Sequence, residues 1–263
     1  VLMTPLQERV YKAVREEVME ELAETNLTSI PNAFAKLLRL QQAANSLDLL
    51  GMPPSSKNSA KLDTLDDLLQ SLIDEGGQKV IVYSRFRSMV DIMQERYKKY
   101  NPAVVHGEVN NQGKSKQTVM REIAQKYNIA TLSTEELERL IEKHTASERQ
   151  QQVYKFQEDS SCKLFIGSAP ACREGLTLTA ATHVIFIDCE WSPAYVEQAY
   201  SRAHRIGQKD ALTVYYLVCM GTIDEKVQEV LSRKDGMAQE MLDKGIDAYN
   251  IMQARELIHF MAG

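Results

Sequence analysis

Five short apolar segments constrain the fold of this chain more than any other feature. They lie between stretches of helical periodicity, and they are KVIVY (Lys79–Tyr83), AVVH (Ala103–His106), KLFIG (Lys163–Gly167), HVIFID (His183–Asp188) and LTVYYLV (Leu212–Val218). Strands that are apolar on both faces and alternate with helices are typical of a parallel sheet covered on both sides. The sequence therefore predicts an α/β fold built on a doubly wound parallel sheet.

Helical patterns flank the predicted sheet. Two precede it, from Met3 to about Glu24 and from Phe34 to about Leu50, and the Pro/Ser-rich segment GMPPSSKNSAK after them is interpreted as a linker. A leucine stripe predicts a third helix at Leu62, Leu65, Leu68, Leu69 and Leu72. The predicted organisation is a helical segment with its linker over 1–56, a lobe over 57–235 and a C-terminal helical tail over 236–263.

A polar, helix-prone insertion over about 110–145 interrupts the alternation. Its apolar residues predict two helices, one marked by Val119, Ile123 and Tyr127 and the other by Leu137, Leu140 and Ile141. The segment is interpreted as a helical hairpin, either a device that binds a protein partner or a plain surface insertion.

The length, hydrophobic content, net charge and cysteines of the chain limit the classes of protein to which it can belong. With 263 residues, 44% of them hydrophobic, the chain can bury a sizeable core, and its net charge of -5 gives no global basic signature. Any contact with DNA must then use a local basic strip. The four scattered cysteines favour buried reduced thiols, and we find neither a run long enough to span a membrane nor a signal peptide. We expect a soluble, non-secreted protein that does not engage membranes.

Ligands of doubly wound sheets bind at the carboxyl ends of the strands. Four groups of polar residues follow four of the predicted strands: Ser84, Arg85 and Arg87; His106 and Gly107; the segment 168–178; and the segment 188–193. Gly175, within the third group, could bring backbone N–H groups close to a phosphate. The sequence predicts the functional site at this edge.

The segment Gln198–Gln208 (QAYSRAHRIGQ) follows the fourth of these groups and carries two arginines. Ser192 and Pro193 favour a helix start, and Gly207 favours its end. On that helix one face carries Gln198, Arg202 and Arg205. Such a face can bind phosphate, or it can be an ordinary solvated face.

Several catalytic signatures are absent from this sequence. It contains neither GxxxxGK[ST] nor GxGxxG, and its five histidines lack metal-ligand spacing, so no metal site is predicted. Asp188 and Glu190 form no evident acid/base pair. The chain offers arginines without a phosphate cradle, which argues against a self-sufficient active site.

The order of the motifs resembles the C-terminal helicase lobe of the SWI/SNF family, within superfamily two. The strings that carry the resemblance are VIVYSRF, VVHGEV, ERQQQVYKF, LFIGSAPACREGLTLTAATHVIFIDCEWSP, EQAYSRAHRIGQ and YYLVCMGTIDEKV. MTPLQERVY, LLRLQQAANSLDLL and SAKLDTLDDLL are similar to the helical segments that precede and enter that lobe. The resemblance excludes the 110–145 insertion and the last 20 or so residues.

The resemblance implies a RecA-like lobe that closes with a second lobe on ATP and Mg²⁺, which are held mainly by the other lobe. It implies arginine fingers at Arg202 and Arg205, with Gln198 as a polar helper, and places Gly175 near the cleft between the lobes. It further implies that six residues face the DNA backbone or support it: Ser84, Arg85, His106, Gly107, Ser168 and Trp191. Contacts to phosphates predict sequence-tolerant, salt-sensitive binding to double-stranded DNA.

Two departures from the family pattern affect these assignments. The family usually has Ala-Gly-Gly before Gly175, where this chain has Ala171, Cys172 and Arg173, so either Arg173 adds a phosphate contact or the loop has moved. The family's Trp-Asn-Pro is Trp191-Ser192-Pro193 here, which preserves the helix cap.

Taken together, the sequence favours the second motor lobe of an ATP-dependent translocase whose ATP-binding lobe lies in a longer chain or in a separate subunit. We expect it to work in the nucleus of a eukaryote, or in the cytoplasm or nucleoid if it is prokaryotic or viral. Two alternatives remain open. One is a stand-alone DNA- or protein-binding module that kept the fold, and the other is an unrelated nucleotide- or cofactor-binding α/β domain.

Overall fold

A five-stranded parallel sheet forms the centre of the molecule. The computed structural model describes residues 1–24, 30–109, 113, 115–126, 131–168, 176–188, 201, 203 and 211–232. The strands are β1 (Val80–Ser84), β2 (Ala103–Val105), β3 (Leu164–Ser168), β4 (His183–Phe186) and β5 (Thr213–Tyr216). They pair in the order β2-β3-β1-β4-β5, and every pairing is parallel. The predicted α/β fold with a doubly wound parallel sheet is confirmed.

Helices surround this sheet. They are α1 (Pro5–Glu24), α2 (Ile30–Asn45), α3 (Ala60–Leu69), α4 (Arg87–Arg96), α5 (Lys116–Lys126), α6 (Thr134–Thr145), α7 (Glu148–Glu158) and α8 (Ile223–Ser232). Helix α3 continues into a π-helical turn, Gln70–Glu75, and helix α2 is followed by a 3₁₀ turn, Leu47–Leu50.

The two faces of the sheet pack into separate apolar clusters. Along β1, Val80 and Val82 point to the cluster formed with α3 and α4, whereas Ile81 and Tyr83 point to the cluster that includes α7. All of these side chains are buried, as expected for a strand whose alternate residues face two covered sides. The continuous apolar character of the strand sequences follows from this double burial.

A third apolar cluster joins the two N-terminal helices to the segment after β5. It includes Tyr11 and Val14 of α1, Leu37 of α2, and Ile223 and Val227 of α8. The backbone N–H of Ile223 donates to the hydroxyl of Tyr11 at 2.8 Å. The helical segment that precedes the lobe in sequence is therefore packed against elements that follow the sheet.

The segment interpreted as a linker is irregular, as its composition predicts, but part of it is buried. Asn58 and Ser59 are only 1% and 4% exposed. Ser59 accepts a hydrogen bond from the backbone of Leu62 as the N-cap of α3, and its hydroxyl donates to the carbonyl of Asn45. These contacts anchor the start of α3 to the end of α2.

The described residues of the insertion form two helices, as predicted. Val119 and Ile123 of α5 are buried, whereas α6 has no buried residue. Helix α6 is tied to α7 by an ion pair between Lys143 and Glu158, 2.7 Å apart. The helical prediction for the insertion is confirmed.

Three predicted features lie outside the described residues: the loop over 169–175, the helix expected to begin near Ser192, and the tail over 236–263. Across the described ranges, every helix is too short or too polar to cross a bilayer.

Candidate nucleic-acid interface

The candidate site lies at the carboxyl edge of the sheet, where β1 and β4 run side by side. The chain leaves β1 towards the β2 side of the sheet and leaves β4 towards β5, so these neighbours form the topological switch point. Ligand crevices of open α/β sheets form at such points. Ser84 ends β1 opposite Ser168 of β3, which brings two of the predicted site residues together.

Ser84 is a supporting residue of this edge, because its side chain is only 1% exposed. Its hydroxyl donates to Oδ2 of Asp188 and accepts the backbone N–H of Phe86 at 3.0 Å. The backbone N–H of Arg85 donates to Oδ1 of Asp188 at 2.9 Å. The carboxylate of Asp188 therefore fixes the turn through which the chain leaves β1.

Arg85 is half-buried and is held at both ends. Asp188 accepts its backbone N–H, and Oε1 of Gln41 on α2 accepts one guanidinium N–H at 3.0 Å. The guanidinium carbon also lies 5.8 Å from the centre of the Phe86 ring, within cation–π range. These contacts together orient a permanent positive charge at the switch point.

Arg87, the second arginine after β1, is shared between two carboxylates. Its guanidinium contacts Asp91 at 3.0 Å and Glu108 at 3.3 Å. Because the pairs are partly exposed, solvent screens them and each contributes little to stability. They orient the side chain towards the segment that follows β2.

The remaining described candidates occupy the other half of the edge. His106 follows β2 and accepts the backbone N–H of Glu108 on Nδ1 at 3.3 Å. Burial, followed by the charge of Arg87, lowers the pKa of His106, which favours the neutral ring at physiological pH. Gly107 is exposed and a Cβ at its position would meet open space, whereas Ser168 is buried.

A buried polar network lies beneath this edge and starts at Asp188. Oδ2 of Asp188 accepts the side-chain amide of Asn45 at 3.1 Å, and Oδ1 of Asn45 accepts an N–H of Lys61 at 2.8 Å. The ammonium of Lys61 also donates to the carbonyl of Ile187 at 2.8 Å and pairs with Asp224 at 2.6 Å. We call Asp224, Lys61, Asn45 and Asp188 the buried relay.

The hydrogen bonds of the buried relay can run in only one direction, from donor to acceptor. An ammonium can only donate and a carboxylate can only accept, so the amide of Asn45 must turn its oxygen to Lys61 and its nitrogen to Asp188. Both Asn45 and Lys61 are fully buried, and Asp188 is 2% exposed. In such an environment an unpaired polar group is costly, so the relay strongly favours a single arrangement of its members.

The electrostatics of the relay reflect its burial. Burial raises the pKa of Asp188, while hydrogen bonds from Ser84 and Arg85 and the charge of Lys61 partly offset that increase. Burial also raises the pKa of the Cys219 thiol to about 11. In the described part of the chain, Oδ1 of Asp224 is buried without a hydrogen-bond partner, so Lys61 is the main source of compensation for that carboxylate.

Five of the predicted site residues lie outside the described residues: Gly175, Trp191, Gln198, Arg202 and Arg205. Their roles therefore stay predictions. The described residue Ala203, which follows Arg202 directly, is fully buried in the cluster that contains Leu176 and Phe186. Among the described residues, no group of three or more His, Cys, Asp or Glu side chains could hold a metal ion.

Sequence reasoning missed the relay residues Asn45, Lys61 and Asp224, and also Gln41. Gln41 and Asn45 are one turn apart and so share one face of α2, but polar residues at that spacing are common on solvated faces. Lys61 immediately precedes the leucine stripe of α3, and this position was the one available signal. A lysine beside an apolar stripe is buried only if it has a partner, and its partner is remote in sequence.

Comparison with known proteins finds similarity to helicase domains and to chromatin-remodeling ATPases. The profile of the helicase conserved C-terminal domain matches residues 117–207. The chromatin-remodeling ATPase INO80 of Homo sapiens is 29% identical over 224 residues, which cover 85% of this chain and 12% of that protein. The chain thus spans about an eighth of the length of the curated relatives it matches.

Solved structures show the same fold over nearly the whole chain. The Sulfolobus solfataricus SWI2/SNF2 ATPase core in complex with dsDNA has a TM-score of 0.66 and 25% identity, and covers 97% of this chain and 47% of that one. The C-terminal part of the Fun30 ATPase domain has a TM-score of 0.64 at 17% identity, and covers 98% of this chain and 96% of that one. The parallel sheet, the order of the motifs and these relationships agree: the chain has a RecA-like fold and is similar to the C-terminal helicase lobes of SWI/SNF-family ATPases.

Proposed function

We propose that this chain is the second motor lobe of a SWI/SNF-type, ATP-dependent translocase that moves on double-stranded DNA. The observation that carries the proposal is the position of Arg85 at the switch point of the sheet, on a lobe whose solved relative is a SWI2/SNF2 ATPase core in complex with dsDNA. The ATP-binding lobe belongs to a longer chain or to a separate subunit.

The DNA-binding part of the proposal rests on the carboxyl edge. Arg85 supplies a permanent positive charge there, and Ser84, Ser168 and His106 shape the ends of three adjacent strands. With Gly107 and Trp191 these residues form the proposed contact with the DNA backbone and its supporting layer. Because the contacts go mainly to phosphates, binding should tolerate changes in base sequence and weaken as salt increases.

The catalytic part of the proposal assigns arginine fingers to Arg202 and Arg205, with Gln198 as a polar helper. The order of the family motifs supports it, and Ala203, the described residue next to Arg202, is buried in the apolar cluster that contains Leu176 and Phe186. Gly175 is proposed to lie beside the same cleft between the lobes.

ATP and Mg²⁺ would supply the phosphoryl group and the charge that holds it, and both would be bound mainly by the other lobe. The two arginines would neutralise negative charge as it grows on the transferred phosphoryl group. In phosphoryl-transfer enzymes an arginine finger contributes about 10³–10⁵ in rate. Without the other lobe the fingers have no bound nucleotide to act on, so this chain alone should not hydrolyse ATP appreciably.

The test of the catalytic assignment compares ATP hydrolysis by the complete two-lobe motor and by this chain alone, both with duplex DNA. Arg205→Ala in the complete motor should abolish hydrolysis while nucleotide binding, followed with a fluorescent ATP analogue, is retained. Arg15→Ala, which removes an exposed arginine of α1, serves as the control and should leave turnover unchanged. Robust turnover by this chain alone, or by the Arg205→Ala motor, would contradict the assignment.

The remaining assignments follow from this role. The 110–145 insertion, whose helix α6 has no buried residue, is proposed either to bind a protein partner or to be a plain surface insertion. The 1–56, 57–235 and 236–263 divisions are retained as the proposed organisation. The protein is proposed to act where duplex DNA is found, which is the nucleus in a eukaryote.

A further inference from the structure

Helix α2 holds Arg85 from two sides, although it precedes the lobe in sequence. Gln41 and Asn45 lie one turn apart on α2, and both are fully buried. The side chain of Gln41 accepts a hydrogen bond from the guanidinium of Arg85. The side-chain amide of Asn45 donates a hydrogen bond to Asp188, and Asp188 also accepts one from the backbone N–H of Arg85. One face of α2 thus holds the guanidinium of Arg85 directly, through Gln41, and its backbone indirectly, through Asn45 and Asp188.

Lys61 of α3 fixes the position of α2 through its hydrogen bond to Asn45. The ammonium of Lys61 contacts the Asn45 amide, the carbonyl of Ile187 next to Asp188, and Asp224 at the start of α8. The Lys61 ammonium thus connects four elements of the fold, which are α2, α3, the end of β4 and α8. A shift of α2 relative to the sheet would break several buried hydrogen bonds together.

We propose that Gln41 and Asn45 are positioning residues for the nucleic-acid edge, and that they act by fixing the backbone and the guanidinium of Arg85. This inference rests on the proposed function, because it takes a phosphate of duplex DNA as the ligand of Arg85. It assigns the helical segment before the lobe a direct part in shaping the DNA site. Neither residue needs to touch DNA for this effect.

A matched pair of substitutions on α2 tests the first contact. Gln41→Leu removes the acceptor of the Arg85 guanidinium but keeps a side chain of similar length, whereas Gln42→Leu makes the same change at the adjacent, half-buried position. Duplex binding by the full 263-residue chain is measured by fluorescence anisotropy at low salt. Gln41→Leu should weaken binding about tenfold, the equivalent of one lost hydrogen bond, while Gln42→Leu should bind like the parent chain.

Exchanging the amide and the carboxylate between positions 45 and 188 tests the second contact, the hydrogen bond from Asn45 to Asp188. Asn45→Asp still accepts from Lys61 but places a carboxylate against Asp188, so the amide proton of Arg85 should exchange with solvent about tenfold faster or more. In the double variant Asn45→Asp/Asp188→Asn the new amide at position 188 can donate to the new carboxylate at position 45 and still accept from Arg85. Exchange of the Arg85 amide and DNA affinity should then both return towards the parent values, which a purely structural role does not require.

The outcomes separate the inference from the proposed function. If the parent chain binds no duplex, or if Arg85→Ala binds it as tightly as the parent chain does, the DNA-binding role fails, while amide exchange at Arg85 in the parent chain still reports on the positioning. If Gln41→Leu binds DNA like the parent chain, or if Asn45→Asp leaves exchange at Arg85 unchanged, the positioning role is overturned. Rescue of stability by the double variant without rescue of DNA affinity would also overturn it.

Discussion

Replacing Lys61 with methionine is the most direct perturbation of the buried relay. The substitution removes the ammonium and keeps an unbranched, flexible side chain that can fill most of the same space, so loss of volume contributes little. It deletes the ion pair with Asp224 and the hydrogen bonds to Asn45 and Ile187 in one step. The cost should therefore come from polar groups that lose their partner.

The magnitude follows from the burial of the pair. Lys61 and Asp224 are 2.6 Å apart, with side-chain exposures of 0% and 1%. After the substitution, the Asp224 carboxylate keeps a hydrogen bond from the backbone N–H of Cys219 at 3.2 Å but loses its opposite charge. Breaking a buried pair in this way costs about 3–5 kcal/mol, which is a large share of the roughly 5–15 kcal/mol stability of a typical domain.

The exposed pair between Lys12 and Glu8 provides the control, because its separation is also 2.6 Å while its side chains are 66% and 50% exposed. Lys12→Met should change the free energy of unfolding by about 0.5 kcal/mol or less. Urea unfolding of both variants, followed by circular dichroism, measures the difference. If Lys61→Met costs no more than Lys12→Met, the buried relay does not stabilise the fold and the reasoning is refuted.

Two further predictions concern groups whose pKa is raised by burial. The folded-state pKa of Asp188 lies above its ordinary value, so the stability that it contributes is fully present at low pH and is lost as pH rises through the raised pKa. The free energy of unfolding of the parent chain relative to Asp188→Asn should thus fall as pH rises above about 4 in urea titrations, and a difference that grows with pH would contradict this. Cys219, with its pKa raised to about 11, should resist alkylation at about pH 8 in the folded chain and react once urea unfolds it, as mass spectrometry of the labelled peptide can show.

The sequence predicted the elements well because their signals are local. The segment Lys79–Tyr83 was expected to be a strand, and β1 is Val80–Ser84. The helices of the insertion were found from three apolar residues each, since helical periodicity needs only a few turns to be recognised. The positions of Ser84, Arg85 and His106 at one edge followed from the rule that parallel strands share a carboxyl end.

The support of the site could not be predicted, because it depends on contacts between distant residues. Asn45 and Asp188 are separated by 143 positions in the sequence, and no local pattern connects them. Ser84 was expected to face the DNA backbone or support it, and its burial and its hydrogen bond to Asp188 could not be predicted from the sequence. The roles of Arg202 and Arg205 remain predictions, since both lie outside the described residues.

The buried relay also affects how the chain can be divided. The proposed boundary at residue 56 follows composition, but Gln41 and Asn45 lie before it while their partners Arg85, Lys61 and Asp188 lie after it. A chain that begins at residue 57 would leave the Lys61 ammonium without the Asn45 oxygen and Asp188 without the Asn45 amide. Because these buried hydrogen bonds form only when the helical segment and the lobe are folded together, the two should unfold as one cooperative unit. Two separate transitions in urea unfolding of the full chain would show that the segment is an appendage and that the relay is dispensable.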